Sequence, residues 1–244
     1  MRVRRHGWLL VGTVLLGYAT TACGDTQRSD TAAGPSGSAS ASPSPSASAQ
    51  APLSAEELKS LAITGDEVPG NRGVSADERD PSAAEANTFP PVSDTSCQKM
   101  LDALDAGTAS AVVDQIFNWK DSIWAGGSTL ASYDGIEAED TFGRLRTALK
   151  TCTDFTGDGY TGKYTAHVET EKIPRIGDET LAFRITNPVK GPNGRTDLRN
   201  EQYIFVRVGQ VTTEFDMLDV NHSAHFPLDL VRKQVDRLAG AQRG

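Results

Sequence analysis

Read from the amino terminus, the apolar residues arrive as one unbroken block and then vanish. Trp8 to Ala19 carries no charge and follows Arg2, Arg4 and Arg5, the outline of a secretory signal. The block is about a dozen residues long, short of the roughly 20 that a helix needs to cross the hydrocarbon core, so a permanent transmembrane span is disfavoured. From Asp25 to Pro52, Ser, Ala, Pro, Gly and Thr dominate, with Pro-Ser-Pro-Ser at 43–46 and almost no large apolar side chain. Such a segment cannot bury enough surface to offset its ordering entropy and is expected to stay disordered. As a coil it would reach about 30 Å.

Periodic patterning starts at Leu53. Ser54-Ala55-Glu56-Glu57 has the spacing of a capping box, with Leu53 and Leu58 placed as its hydrophobic staple, which predicts a short helix from Ala55. An irregular polar stretch runs from Gly65 to Ser93. Helix resumes at Ser96, with Cys97, Met100, Leu101 and Leu104 on one side and Gly107 closing it. The alternation and β-branched content from Val112 to Trp119 predict a strand, and a second lies between Ile123 and Tyr133, broken by Gly126-Gly127. Glu139 to Cys152 is the clearest helix, with Phe142, Leu145, Leu149 and Cys152 at helical spacing.

Strands follow at Tyr160 to Glu169, Thr180 to Thr186, Gln202 to Val208 and Val211 to Val220, with a polar loop at 190–194 and a tight turn at Gly209-Gln210. A last helix opens at Pro227, carries Leu228, Val231, Val235 and Leu238 as its stripe, and ends at Gly240. The expectation is an α+β domain over residues 53–244, an antiparallel sheet of about five or six strands with helices packed on it.

The cysteines change the picture of where this domain lives. Ala19-Thr20-Thr21-Ala22-Cys23-Gly24 resembles the lipobox of bacterial lipoproteins, although Thr20 stands where that pattern usually carries Leu. This reading makes 1–22 a lipoprotein signal peptide, Cys23 the lipidation site and 23–52 a lipid-anchored linker, with the chain held on the extracytoplasmic face of the cell membrane. Three cysteines are one too many for pairing in an exported protein, and lipidation removes the odd one. Cys97 and Cys152 are then expected to form a disulfide, because the compartment is oxidising. A metal pair is the weaker alternative, since two isolated cysteines lack the close-spaced partners that zinc sites use.

Charge removes one class of partner. Without the three signal arginines the chain keeps 21 basic residues against 32 acidic ones, a formal charge of −11. Such a domain is a poor binder of nucleic acid or of anionic headgroups through bulk electrostatics.

A set of short blocks in fixed order carries a resemblance. They are Ser96-Cys97-Gln98, Ala148-Leu149-Lys150-Thr151-Cys152, Ile176-Gly177-Asp178-Glu179 leading into Leu181-Ala182-Phe183-Arg184, Phe205-Val206-Arg207-Val208-Gly209, and Lys233-Gln234-Val235-Asp236-Arg237-Leu238. Over about the last 190 residues the chain resembles the PknH-like extracellular sensor domain family, the sensor domain of a mycobacterial Ser/Thr kinase and its relatives among actinobacterial lipoproteins. The resemblance implies an antiparallel sheet with helices packed on it, a cleft for a small ligand, and no established chemistry. This chain has no kinase domain, and only one cysteine pair where the kinase's own sensor has more, so a signalling role does not carry over.

No residue set amounts to a catalytic signature. His222-Ser223-Ala224-His225 lacks the H-E-x-x-H pattern and precedes a helix, where exposed polar residues are common. Asp154 and Asp158-Gly159 begin like a calcium loop, yet position 12 from Asp154 is Thr165, and the intervening oxygen ligands are missing. There is no G-x-S-x-G elbow, S-x-x-K motif or glycine-rich phosphate loop. Asp178-Glu179 reads as a turn feeding a strand rather than an acid/base pair. The aromatics to watch for ligand stacking are Trp119, Trp124 and Tyr133, with core packing the more common fate of each. Arg184 and Arg207, inside apolar strand runs, are candidates to face a cleft from a shared sheet surface, against an outward, solvated position.

The sequence therefore predicts no enzyme, cofactor or metal. It leaves two function classes: a module that binds or senses a small ligand or cell-wall component, or a structural lipoprotein that docks an envelope partner. A concave pocket lined by aromatic and polar groups favours the first, and a flat apolar patch favours the second.

Overall fold

The computed structural model describes residues 51–83, 89–159, 162–191 and 194–243. The signal, Cys23 and the linker up to residue 50 lie outside the described residues. Helix α1 (Ala55–Leu61) opens with the capping box its sequence predicts: the Ser54 N–H donates to Glu57 Oε2 at 2.8 Å and the Glu57 N–H to Ser54 Oγ at 3.2 Å. A short 3-10 turn, Gly65–Glu67, precedes strand β1 (Asn71–Arg79). Then come α2 (Thr95–Leu104), β2 (Ala111–Trp119), β3 (Gly126–Ser132), α3 (Glu137–Ala148), β4 (Asp154–Gly159), β5 (Gly162–Glu171), β6 (Glu179–Lys190), β7 (Thr196–Val208), β8 (Val211–Val220) and α4 (Leu228–Ala241).

All eight strands form one antiparallel sheet in the order β1-β2-β3-β8-β7-β6-β5-β4, so the α+β class holds with eight strands in place of five or six. The two strands absent from the sequence reading, β1 and β4, are its two edges. Edge strands pair on one side only, and these two are mostly polar, so neither carries the apolar alternation that marks a strand buried between neighbours. Gly126 and Gly127 do not break the second strand but open β3, which leaves 123–125 in the β2–β3 connection. Helix α3 ends at Ala148, which leaves Cys152 in the following turn, where its N–H donates to Ala148 O at 2.9 Å. The left-handed residue that ends α2 is Ala106 (φ 51°) and not Gly107. Pro227 is the N-cap of α4 rather than its first residue, and Gly240 lies inside the last turn.

The alternation of β7 sorts the core into two layers. Tyr203 and Phe205 join Met100, Leu101, Phe142 and Leu145 of α2 and α3 on one face. Ile204, Val206 and Val208 meet Leu230, Val231 and Val235 of α4 on the other, where Leu58 of α1 packs with Leu130, Val211 and Leu238. A central strand buried on both faces reads as a continuous apolar run, as Tyr203–Val208 does apart from Arg207.

Cys97 of α2 and Cys152 are joined in a disulfide with Cα atoms 4.8 Å apart, and both are buried. Helices α2 and α3 cover only part of their face. The rest of it is open, and the groups with chemistry lie there.

Candidate functional site

Register places an acidic group at the floor of this open region. On β8, Glu214 and Asp216 flank Phe215 and share one face, because side chains two apart in a strand point the same way. Phe215 packs on the opposite side with Phe226 at 5.1 Å. Across the sheet Glu214 lies between Phe205 of β7 and Thr129 of β3, and Asp216 between Tyr203 of β7 and Gly127 of β3. Asp114 of β2 is the register partner of Thr129 and accepts from its hydroxyl at 2.9 Å. Glu201 of β7 extends the group toward β6.

These residues line a cavity of about 1310 Å³. Its far side is apolar: Phe155 of β4, Tyr164 and Ala166 of β5, and Ile185 of β6. Phe155 meets Tyr164 edge to face at 6.1 Å, and Tyr203 stacks on Phe183 at 5.2 Å. Leu101 and Leu104 of α2 and Asp105 at its C-cap, with Phe89 and Pro90, form one wall.

Two of the four carboxylates on the sheet floor are held in ion pairs. Asp114 pairs with Arg79 at 2.6 Å, and Glu201 with Arg199 at 3.0 Å. Glu214 is 6% exposed, and its Oε1 is buried without a hydrogen-bond partner. Burial pushes the Glu214 carboxyl well above the usual range, and the negative charges of Asp216, Glu201 and Asp114 push it further. Burial likewise raises Asp216 to about 7, with Glu201 adding to the effect and the Gly127 N–H and Arg199 opposing it. Asp216 is half-buried, and the protein atoms around it on the cavity floor disfavour its charge. Tyr203 is raised by the same burial and the same neighbours. Among the described residues no group of three or more His, Cys, Asp or Glu side chains is arranged to hold a metal ion.

None of the aromatic or basic candidates named from sequence lines this cavity. Trp119 packs on the opposite face, stacked on Phe117 at 6.0 Å and edge-on to Phe226 at 6.1 Å. Trp124 sits half-buried in the β2–β3 connection, where its N–H donates to Ser122 Oγ at 3.1 Å. Tyr133 follows β3 on the cavity's face and is fully buried with Ala138 of α3.

Arg184 and Arg207 do not share a surface. Arg184 is buried on the α4 face, pairing with Glu171 at 2.7 Å and donating to Ala224 O at 2.9 Å. Arg207 lies on the cavity's face but beyond Phe205, pairing with Glu179 at 2.7 Å, which also takes Arg146 of α3 at 2.8 Å. That engagement makes Asp178-Glu179 a structural pair, with Asp178 3.6 Å from the same guanidinium. Asp154, in β4, pairs with His167 at 3.0 Å, and His222 with Asp219 at 3.5 Å.

Sequence reading passed over Asp114, Glu201, Tyr203, Glu214 and Asp216. Glu214-Phe215-Asp216 carries the visible signal of two acids on one face of a strand whose other face is apolar, but alternation alone reads that face as solvated. Gly127 is the second signal, since a glycine inside a strand often marks a close approach by another group.

No protein-family model matches this sequence, and no curated protein matches it significantly.

Proposed function

We propose that the protein is an exported lipoprotein, anchored to the outer face of the cell membrane through lipid on Cys23, whose PknH-like domain binds or senses a small ligand or cell-wall component in this cavity without catalysis. The observation that carries the reading is the cavity: a concave space of about 1310 Å³ on the open half of a sheet face, with an aromatic and aliphatic side and a carboxyl-rich floor. Sites for small organic ligands have this composition, an apolar lining with a few polar groups that fix orientation. The signal sequence, the lipobox-like Cys23 and the Ser/Ala/Pro linker support the location. Among the described residues no helix is long and apolar enough to cross a membrane.

Carboxyls with raised pKa also serve acid/base catalysis. Here the raised values follow from burying like charges without a counter-ion, and among the described residues no histidine or cysteine lines the cavity to act beside them. The docking alternative needs a contiguous apolar surface. The exposed large apolar side chains found among the described residues are few: Ile116 and Ile123 in and just after β2, Ile136 before α3, and Leu198 in β7.

A thermal-shift screen of small polar and amphipathic compounds on the purified protein tests the reading, because a specific binder raises the midpoint by mass action. Substituting Asn187, a half-buried residue on the cavity wall, by Trp is expected to abolish the shift. A screen without binders, combined with an envelope protein that co-purifies equally with wild type and Asn187→Trp, would favour docking.

A further inference from the structure

We propose that the cavity takes an organic monocation, with a protonated amine or guanidinium set against Glu214 and Asp216 and an apolar body running over Ile185 toward Ala166 and Tyr164. This rests on the ligand-binding reading above and adds the chemical class of the ligand.

The charges of the cavity do not balance locally. Asp114 has Arg79 and Glu201 has Arg199, each within ion-pair distance. Among the described residues Glu214 and Asp216 form no ion pair, although they share the floor of one cavity. Glu214 also holds an acceptor atom, Oε1, that no donor among the described residues reaches. A buried acceptor without a partner costs free energy, and a donor brought by a ligand recovers it. A cationic donor supplies the missing hydrogen bond and the missing counter-charge together, in a charge-assisted bond that is stronger than a neutral one.

The shape of the acidic group favours an organic cation over a metal ion. Its carboxylates are spread over β2, β7 and β8 and do not converge on one point, in keeping with the absence of a metal-holding arrangement among the described residues. A ligand that lies along the floor can use two of them.

Strand order supplies the rest of the ligand. From β8 the sheet passes through β7 and β6 to β5, and the register sets Thr170 in line with Asp216, so Ile185 lies roughly 12 Å from the carboxyl pair and Tyr164, six residues further along β5, roughly 24 Å. Ile185 of β6 and Ala166 of β5 make the floor apolar along the way, and Phe155 and Tyr164 form an aromatic end. A cation with an extended aliphatic or aromatic body fits this gradient. Lys163 and Lys190 border the cavity at the aromatic end and oppose a second positive charge there, which disfavours polyamines.

Burial and the neighbouring negative charges raise both carboxyls, Asp216 to about 7, so a cation set against the pair favours their charged forms and displaces protons. Asp114 with Arg79, Glu201 with Arg199, and the Tyr203 hydroxyl are the other titratable or charged groups facing the pair.

Isothermal titration of the purified protein with phenylbutylamine, phenylbutanol and phenylpentanoate tests the class of ligand. The amine is expected to bind on the order of tenfold or more tighter than the alcohol, and the carboxylate more weakly still. Binding of the amine near pH 7 is expected to release protons, seen as a heat that depends on the ionisation enthalpy of the buffer. Glu214→Gln, which keeps the shape and removes the charge, and Asp216→Asn should each weaken the amine and leave the alcohol unchanged. Melting curves of both variants confirm that they are folded.

The proposal is overturned if the alcohol matches the amine, if Glu214→Gln retains full affinity for the amine, or if none of the three probes binds. Asn187→Trp separates the two levels of inference. If the alcohol or the carboxylate binds best and this variant abolishes it, the cavity reading stands and the cation falls. If a probe binds and Asn187→Trp leaves it untouched, the cavity reading falls as well.

Discussion

Gly127 and Asp216 are cross-strand partners, and a Cβ added to Gly127 would stand 2.1 Å from Asp216 Oδ1. The absence of a side chain on β3 is what lets the carboxyl fold down over the sheet and accept from the Gly127 N–H. Gly127→Ala is therefore expected to push the carboxyl out of its place. The obstacle is the end of a rotatable side chain and the Gly127 backbone is ordinary strand, so stability should stay within about 1 kcal/mol of wild type. Ligand binding should fall by roughly tenfold, comparable to the loss of one charged hydrogen bond. Titration of a screened ligand against the variant, beside a melting curve, checks both halves.

The same carboxyl gives the stability a defined pH dependence. In the fold Asp216 titrates at about 7 and Glu214 also well above the usual range, whereas an unfolded carboxyl titrates near 4. The folded state holds these protons longer than the unfolded state does. The Asp216 contribution is therefore full below about pH 4 and is lost as the pH rises through about 7, and that of Glu214 is lost in the same sense as the pH rises. Asp216→Asn removes the group that titrates. It should raise stability at pH 8 by about 1–2 kcal/mol, allowing for screening by the water that reaches Asp216, and change little at pH 4. Urea melts of both proteins across this range measure the effect, and an equal gain at both ends would show that charge is not its cause.

Much of the scaffold was legible because it is written in periodicity. Phe142, Leu145 and Leu149 mark α3, and the apolar runs of β6, β7 and β8 mark the centre of the sheet. The edges were not legible, because Asn71–Arg79 and Asp154–Gly159 carry too few apolar residues to alternate. The site was hidden for a related reason. Alternation correctly places Glu214 and Asp216 on the face opposite Phe215, but not that α2 walls that face and makes a cavity of it. Tyr133 shows the converse, since α3 covers the same face elsewhere and buries an aromatic that composition would have offered to a ligand.

Glu67 ties the start of the domain to its last helix. It accepts from the Thr64 N–H and Oγ1, both at 2.9 Å, and pairs with Arg237 and with Lys233, the latter at 3.4 Å. The Thr64 N–H is the main reason its carboxyl is held at about 2. The Thr64 hydroxyl and Arg237 add to this, and partial burial works against it. A depressed pKa stabilises the fold above the unfolded value of 4.5, and that stabilisation is lost as the pH falls through 2. Glu67→Gln should cost about 1–2 kcal/mol at pH 7 after discounting for solvent, and almost nothing at pH 2. Denaturant melts at the two pH values check the sign.

For the anchor, Cys23→Ala is expected to leave the precursor unlipidated and to move the exported protein out of the membrane fraction. Metabolic labelling with a fatty-acid analogue reads this directly. Wild type without label would refute the lipobox reading, and Thr20→Leu should then increase processing if the departure at Thr20 is the reason.

The disulfide between Cys97 and Cys152 closes a loop spanning 55 residues and fastens α2 to the turn after α3. On the chain-entropy model such a loop stabilises the fold by about 4 kcal/mol, a large part of what a domain of this size has in total. Replacing both cysteines by Ala should therefore cost about 2–5 kcal/mol, measured by urea unfolding. The effect should reach the cavity, because α2 carries Leu101 and Leu104 to its wall, and the disulfide is the covalent tie between that helix and the rest of its layer. The double variant is thus expected to bind a screened ligand more weakly even at temperatures where it is fully folded. Amide exchange in residues 95–104 should rise before exchange in the central strands does. If stability falls but affinity and exchange in α2 do not change, the bond acts on the unfolded chain alone, and Met100, Leu101, Phe142 and Leu145 hold the wall by packing without it.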